Sequence, residues 1–349
     1  MSRLDTKFGK KLKKYGATEF NRCYNCGTCT AVCSLTNSED SFPRSMVRLS
    51  AAGDQNGIES SLKPWLCYYC GECSTSCPQT ANPGELMMSL RRWLTGRYDW
   101  TGLSGLFYRS SLVTIIAMVL VFAGVIGYAA YESFDMERIM HTAHYFEMFA
   151  IMGVFAVILL PNIVRMWYLT VIKPGYKLPV KVYASSMSEL FIHMFTQKRA
   201  LGCDDNQARW FAHLILVIGY LTLLFTTVFL DWFSTESMFV VVLGYVVSAI
   251  VFAVTFVFVL GRIKQKQEIA KHSRPSDWFF IIWLLLMGIT AFAVRLFIDL
   301  DLLAGNLWLF LFHFTILAQW ALIIVPFGKW THFLYRSFAM YFDKLQKSK

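Results

Sequence analysis

The chain has 349 residues, of which 56% are hydrophobic and 16% charged, and its 33 Lys and Arg outweigh 23 Asp and Glu to leave a formal net charge of +10. A mean hydropathy of +0.44 is too apolar for an ordinary soluble protein, so most of the chain should lie in a bilayer. The basic residues are spread between apolar stretches and do not line one face of a soluble domain, which argues against nucleic acid as a partner and for a lipid membrane.

Residues 1–20 form a basic lead-in with Phe8, Leu12 and Phe20 as apolar contacts; it reads either as a solvated tail or as a contact to a partner or to lipid. Its lysines, Lys7, Lys10, Lys11, Lys13 and Lys14, precede polar sequence and not an apolar run, and no twin-arginine pair precedes such a run there, so the N-terminal part is expected to stay in the cytoplasm. A cytoplasmic site also suits cysteines kept reduced.

Two cysteine runs follow, Cys23-Tyr-Asn-Cys26-Gly-Thr-Cys29-Thr-Ala-Val-Cys33 and Cys67-Tyr-Tyr-Cys70-Gly-Glu-Cys73-Ser-Thr-Ser-Cys77-Pro78. Three cysteines at two-residue gaps, with a fourth after three more, let a tight loop wrap three thiolates around one face of a cubane, the spacing of a bacterial [4Fe-4S] ferredoxin. A zinc ribbon would leave the third and fourth cysteines of each run without a reason. In two-run ferredoxins the fourth cysteine crosses to the other cluster. The assignment is therefore Cys23, Cys26, Cys29 and Cys77 for one cluster, and Cys67, Cys70, Cys73 and Cys33 for the other. The first run departs from the pattern in having Ser34 where a proline would stand, and the ninth cysteine, Cys203, receives no role. Residues 45–52 read as helix, 53–57 as loop, and 84–94 as a helix leading the chain toward the bilayer. The domain boundary is placed near residue 100, giving a cytoplasmic module over 1–100 and a membrane domain over 101–349.

Six apolar segments of the length needed to cross ~30 Å of hydrocarbon span about 110–131, 142–164, 210–230, 237–261, 278–294 and 302–328. Seven Lys and Arg fall in 165–209, five in 262–276 and five from Lys329 onward, whereas the opposite side carries only Arg138 and Arg295 amid several carboxylates. The positive-inside rule puts both termini in the cytoplasm, as does the even number of spans. The long connection 173–202 carries an amphipathic stretch over 188–195 expected to lie on the inner surface.

An ionisable residue inside a span is costly and points to function. His313 lies in the outer half of the last span and His332 just past Lys329. Their 19-residue separation is about 28 Å along a helix axis, so they suit two haems at different depths. His213 matches the depth of His332, and the two form the inner pair. His144, with His141 as a substitute, pairs with His313 on the outer side. No Cys-x-x-Cys-His occurs, so the haems are expected to be non-covalent and b-type. Candidate propionate partners are Arg209, Lys329 and Arg336 on the inner side and Arg295 on the outer, although Arg295 equally suits an ion pair with Asp299 one turn on. His272 reads as solvated, and His193 as solvated or as a quinone or haem contact. Glu147, a carboxylate well inside a span and one turn past His144, is the candidate quinol proton acceptor; the alternative is that it orients a histidine ring or pairs with a cation.

These residues carry a family resemblance. The first ~100 residues resemble the heterodisulfide reductase C-subunit. From about residue 110 the chain is similar to the cytochrome b membrane subunit of respiratory nitrate reductase, notably at Arg209-Trp-Phe-Ala-His213 and Pro326-Phe-Gly-Lys329-Trp-Thr-His332. Joined in one polypeptide, the two resemble the membrane subunits of quinone-interacting membrane-bound oxidoreductase (Qmo) complexes. The resemblance implies a mainly α protein, an α-helical ferredoxin-like domain with two [4Fe-4S] clusters followed by a six-helix transmembrane haem b bundle. It implies an electron-transfer subunit, not a catalyst on its own, which passes electrons from menaquinol to cytoplasmic heterodisulfide-reductase-A-like flavoprotein subunits and onward to adenylylsulfate reductase. Reverse flow toward quinone, a heterodisulfide-reductase-type conduit and a redox-sensing membrane anchor are the alternatives. The chain departs from the nitrate-reductase type in having Leu223 where that helix carries a second histidine ten residues on. It also lacks the Cys-Cys-Gly motifs of the disulfide-reducing subunit.

Overall fold

A computed structural model of the chain describes residues 4–37, 40–198, 201, 207–226, 237–265 and 268–348. Cys203 and the end of the expected third span, 227–230, lie outside the described residues. The described residues are helical and form no strand, with one isolated bridge between Asn37 and Asp40.

The N-terminal module is built from short helices, α1 (Phe8–Lys13), α2 (Thr28–Ala31), α3 (Arg44–Ala52), α4 (Gln55–Glu59), α5 (Lys63–Leu66) and α6 (Glu72–Thr75), around the longer α7 (Pro83–Tyr98). Asn82 starts α7 by accepting a hydrogen bond from the Glu85 N–H, and Pro83 fills a first-turn position where no donor is needed. The expected loop over 53–57 instead contains the start of α4, because the Asp54 side chain caps it by accepting from Gly57 N–H. Gly53 ends α3 at φ +74°, where a Cβ would stand 2.2 Å from the Asp5 carbonyl oxygen. The basic lead-in is not a solvated tail. Phe8 and Leu12, four residues apart on one face of α1, are fully buried, and Phe8 meets Trp93 of α7 edge-on at 5.0 Å.

The remainder comprises α8 (Leu103–Arg109), α9 (Ser111–Tyr131), α10 (Met136–Val154), α11 (Leu160–Trp167), α12 (Val180–Thr196), α13 (Gln207–Leu224), α14 (Met238–Lys264), α15 (Glu268–Lys271), α16 (Pro275–Asp299), α17 (Leu307–Gln319), α18 (Val325–Phe327) and α19 (Thr331–Lys347). Among the described residues six helices are long and apolar enough to cross a membrane: Ser111–Tyr131, Met136–Ile172, Gln207–Leu224, Met238–Lys264, Pro275–Asp299 and Leu307–Lys347. Leu120 and Val257 on these spans are 66% and 61% exposed, the apolar outer surface that lipid requires. Two spans widen into a π turn just before a proline, at Phe155–Leu159 ahead of Pro161 and at Trp320–Ile324 ahead of Pro326. The ring removes an N–H and crowds the preceding turn, and the wider turn absorbs both effects.

The expected division near residue 100 separates two compositions but not two cores. One hydrophobic core contains Trp65, Leu90 and Tyr98 of the N-terminal module together with Met166, Leu190, Tyr335 and Leu345. The amphipathic stretch expected over 188–195 is part of the longer α12, which packs against α19.

Candidate functional site

The two cysteine loops repeat one backbone. Asn25 and Gly27 in the first, Tyr69 and Gly71 in the second, have positive φ, at 60° and 89° against 59° and 97°. The chain thereby folds back on either side of the second cysteine, and each loop runs into a one-turn helix, α2 or α6. The glycine is needed because only it enters this region without steric cost. The Asn25 N–H donates to Cys23 Sγ at 3.3 Å and the Tyr69 N–H to Cys67 Sγ at 3.4 Å. The Ala81 N–H does the same for Cys77 at 3.4 Å. Donors aimed at sulfur stabilise negative charge there.

The eight cysteines of the runs form no disulfide with one another and gather into two groups. Cys23, Cys26, Cys29 and Cys77 line one cavity with Arg44 and Pro78. Cys33 lies within electrostatic reach of Cys67 and Cys70, and Cys73 of Cys67, Cys70 and Cys33 and, more weakly, of Cys29 in the first group. In this arrangement the fourth cysteine of each run lies with the first three of the other. Burial pushes the thiols of Cys29, Cys33, Cys67 and Cys73 up, whereas a hydrogen bond from the Thr28 hydroxyl brings exposed Cys26 down. A buried thiol is stable as a thiolate only against a cation, and two groups of four cysteines each suit a cubane.

His213 of α13 and His332 of α19 face each other with ring centres 6.3 Å apart and planes at 63°. An iron shared by two imidazoles, at ~2.0 Å from each nitrogen and a further ~1.1 Å to each ring centre, requires about 6 Å. His332 Nδ1 donates to the Lys329 carbonyl oxygen, which leaves Nε2 as the nitrogen able to bind a metal. The two rings share a cavity with His193, Gln197, Phe333, Arg336 and Met340. These residues fit a haem held between the two rings.

His313 is buried, with Nδ1 2.8 Å from the Thr290 hydroxyl. That hydroxyl spends its hydrogen on the Leu286 carbonyl at 2.7 Å, so His313 is the donor and its Nε2 is likewise left for a ligand. Phe146 and Phe314, two and one residues past His144 and His313, meet at 5.4 Å, so α10 and α17 touch next to both histidines. His141 and His144 both pack on Tyr145, at 4.8 and 5.7 Å, and Glu147 is half-buried on the same helix. The sequence reading missed Thr290; nothing in its spacing singles it out.

The expected propionate cations divide. Arg336 lines the cavity of the inner pair and Arg209 is within electrostatic reach of His213. Lys329 is instead bound to buried Asp277 at 2.6 Å, and Arg295 forms a forked pair with Asp299 at 2.6 and 3.3 Å. His272, expected to be solvated, lies with Nε2 2.8 Å from the Asn82 amide. His193 pairs with Glu189 at 3.2 Å.

Residues 19–81 match the model of the 4Fe-4S dicluster domain family. The chain is 31% identical over 83 residues to the C-subunit of the ferredoxin:CoB-CoM heterodisulfide reductase of Methanosarcina acetivorans, a match covering 24% of this chain and 33% of that protein. It is 30% identical over 76 residues to the C-subunits of the H(2):CoB-CoM heterodisulfide,ferredoxin reductases of Methanothermobacter thermautotrophicus and Methanothermobacter marburgensis, covering 22% of this chain and 41% of each. The chain thus matches about a third of the length of the first relative and about two fifths of the other two. No solved structure matches the chain. What the geometry and the comparisons share is the N-terminal module: residues 19–81 are a 4Fe-4S dicluster domain related to the heterodisulfide reductase C-subunit, in a chain with six helices able to cross a membrane.

Proposed function

We propose that the chain is the membrane-embedded electron-transfer subunit of a Qmo-type quinone oxidoreductase complex of the cytoplasmic membrane. In this reading Cys23, Cys26, Cys29 and Cys77 hold one [4Fe-4S] cluster and Cys67, Cys70, Cys73 and Cys33 the other. His213 and His332 hold the inner b haem, and His144 and His313 the outer. When bound, the haems and clusters supply one-electron relay sites between menaquinol in the bilayer and cytoplasmic heterodisulfide-reductase-A-like flavoprotein subunits, with adenylylsulfate reductase as the eventual acceptor. Both termini and the cysteine module face the cytoplasm, as the Lys and Arg distribution requires.

The observation that carries this reading is the shared core. Trp65, two residues before Cys67, packs at 5.3 Å on Tyr335 of α19, three residues past His332. A cysteine module fused merely for anchoring would need no common core with the helix that bears a haem ligand. Within this scheme Lys329 O orients His332 and Thr290 orients His313, while Arg209 and Arg336 face the inner propionates. Glu147, half-buried beside His144, accepts the quinol proton, a task suited to a carboxylate set in an apolar wall. The likeness to the heterodisulfide reductase C-subunit favours a second reading, in which the cytoplasmic partner is a disulfide reductase.

The test is anaerobic reduction of the purified full-length protein by a menaquinol analogue, with haem and cluster spectra followed together. Both signals should change in the unmodified chain, and in His332→Ala the clusters should stay oxidised while dithionite still reduces them. Clusters reduced at the unmodified rate in His332→Ala would sink the proposed route. Glu147→Gln should block reduction by quinol without loss of haem.

A further inference from the structure

We infer that Arg91 and Arg336 form a cationic bridge between the Cys33/Cys67/Cys70/Cys73 site and the His213/His332 site, and that this makes the second cysteine site the electron partner of the membrane domain. The inference rests on the proposed function and adds an order to it: the Cys67 site is inward, the Cys23 site outward.

Arg91 is on α7, and its fork closes over the segment that enters the second cysteine loop. Nε donates to the Pro64 carbonyl at 2.6 Å, and Nη2 to the carbonyls of Trp65, at 3.5 Å, and Cys67. The guanidinium also stands 5.9 Å over the Trp65 ring. These hydrogen bonds end on backbone carbonyls and not on a carboxylate. The next residue, Arg92, is the contrast: its charge is taken up by Glu85 at 2.8 Å and Asp277 at 3.3 Å. Arg91 thus brings a cation to the Cys67 loop and holds that loop in place at the same time. Burial pulls its pKa down to about 10, still cationic at neutral pH.

Arg336 approaches from the other side. It follows Tyr335, which packs on Trp65 at 5.3 Å, and it lines the cavity that holds His213 and His332. Arg91, Arg336 and Cys67 lie within electrostatic reach of one another, and Arg91 also reaches His332. Two guanidiniums therefore occupy the region between the cysteine site and the histidine pair. A cation in a low-dielectric region stabilises the reduced, more negative state of whatever sits beside it. The first cysteine site has its own cation, Arg44; each site has one exposed cysteine, Cys26 or Cys70, but the first opens further to water, with Tyr24 77% exposed where Tyr68 is half-buried and with Cys23 half-buried where Cys67 is buried, so its field is screened. That opening faces outward and suits transfer to a soluble partner.

The experiment is a redox titration of the full-length protein in detergent, with the two cluster signals assigned by the loss caused by Cys77→Ser. Arg91→Met keeps the stem that covers Trp65 and removes the charge; Arg91→Lys keeps the charge and removes the fork. Arg91→Met should lower the midpoint potential of the Cys67-site cluster by about ten-fold in its reduction equilibrium, ~59 mV for a one-electron couple. The Cys23-site cluster should not move, and Arg91→Lys should retain most of the potential. Arg336→Met should lower the same cluster and the inner haem together. Should Arg91→Met lose its cluster, Arg336→Met decides the matter. An unmoved Cys67-site cluster, equal shifts in both clusters, or a loss in Arg91→Lys as large as in Arg91→Met would overturn the inference. An unmodified chain that binds neither clusters nor haem would overturn the functional reading and this inference with it.

Discussion

Replacing Asp277 by Asn should cost more than any other single isosteric change between the cysteine module and the membrane helices. Asp277 is 4% exposed. It accepts from Lys329 Nζ at 2.6 Å, from Arg92 Nη2 at 3.3 Å and from the Arg274 N–H at 2.9 Å, and the last of these caps α16. Arg92 in turn donates to Glu85 at 2.8 Å and to the Tyr15 carbonyl at 2.9 Å, and Glu85 accepts from Tyr69 at 3.0 Å. The chain of contacts therefore runs from the second cysteine loop to the residue whose carbonyl orients His332. Asn keeps the shape and the cap but removes the anion that offsets one buried cation, Arg92, and one half-buried one, Lys329. Breaking a buried pair from one side costs about 3–5 kcal/mol, and the loss should appear in a denaturant titration followed by tryptophan fluorescence, since Trp65 and Trp93 lie in the shared core. Arg92→Met should cost a similar amount, and the double variant should fall short of the sum by at least ~1.5 kcal/mol, as coupled neighbours do. Additivity within about 0.5 kcal/mol would refute the coupling.

The anaerobically reconstituted full-length protein should hold about eight irons in two cubanes, and Cys77→Ser should damage the cluster held by the first run while sparing the other; loss of the second cluster instead would reverse the crossing. His213→Ala and His332→Ala should each abolish the same low-spin b-haem signal, whereas removal of two different haems would break the inner pair. In the reduced, cluster-free protein Cys26 should be the first thiol alkylated at neutral pH, because the Thr28 hydroxyl lowers its pKa and it is exposed. Cys67 and Cys73, raised by burial, should react last, and raising the pH should speed them more than it speeds Cys26. Mass spectrometry of the labelled peptides reads the order.

The cysteine loops, the six spans and α7 are legible in the sequence because each depends on residues close together in the chain. Two-residue gaps between thiols, a glycine at the turn and ~20 apolar residues in a row carry their meaning locally. The histidines of the inner pair are half legible: depth along a helix follows from residue counting, and it matches His213 to His332. That the rings stand 6.3 Å apart depends on how α13 and α19 pack. Contacts between distant segments could not be read in advance. Arg92 meets Asp277 across 185 residues and the Gln319 amide reaches the Met118 carbonyl across 201. In the sequence Lys329 looked like a free cation for propionates and His272 like a solvated ring, whereas the Arg295–Asp299 pair, one turn apart, was one of two readings open for that arginine. Tertiary structure gave the lysine to Asp277 and the histidine to Asn82. The physical reason is that spacing determines what one loop or helix can hold. Which partner a charged or polar side chain finds depends on what folding brings beside it, and in a buried site the cost of leaving a charge unpaired decides the choice.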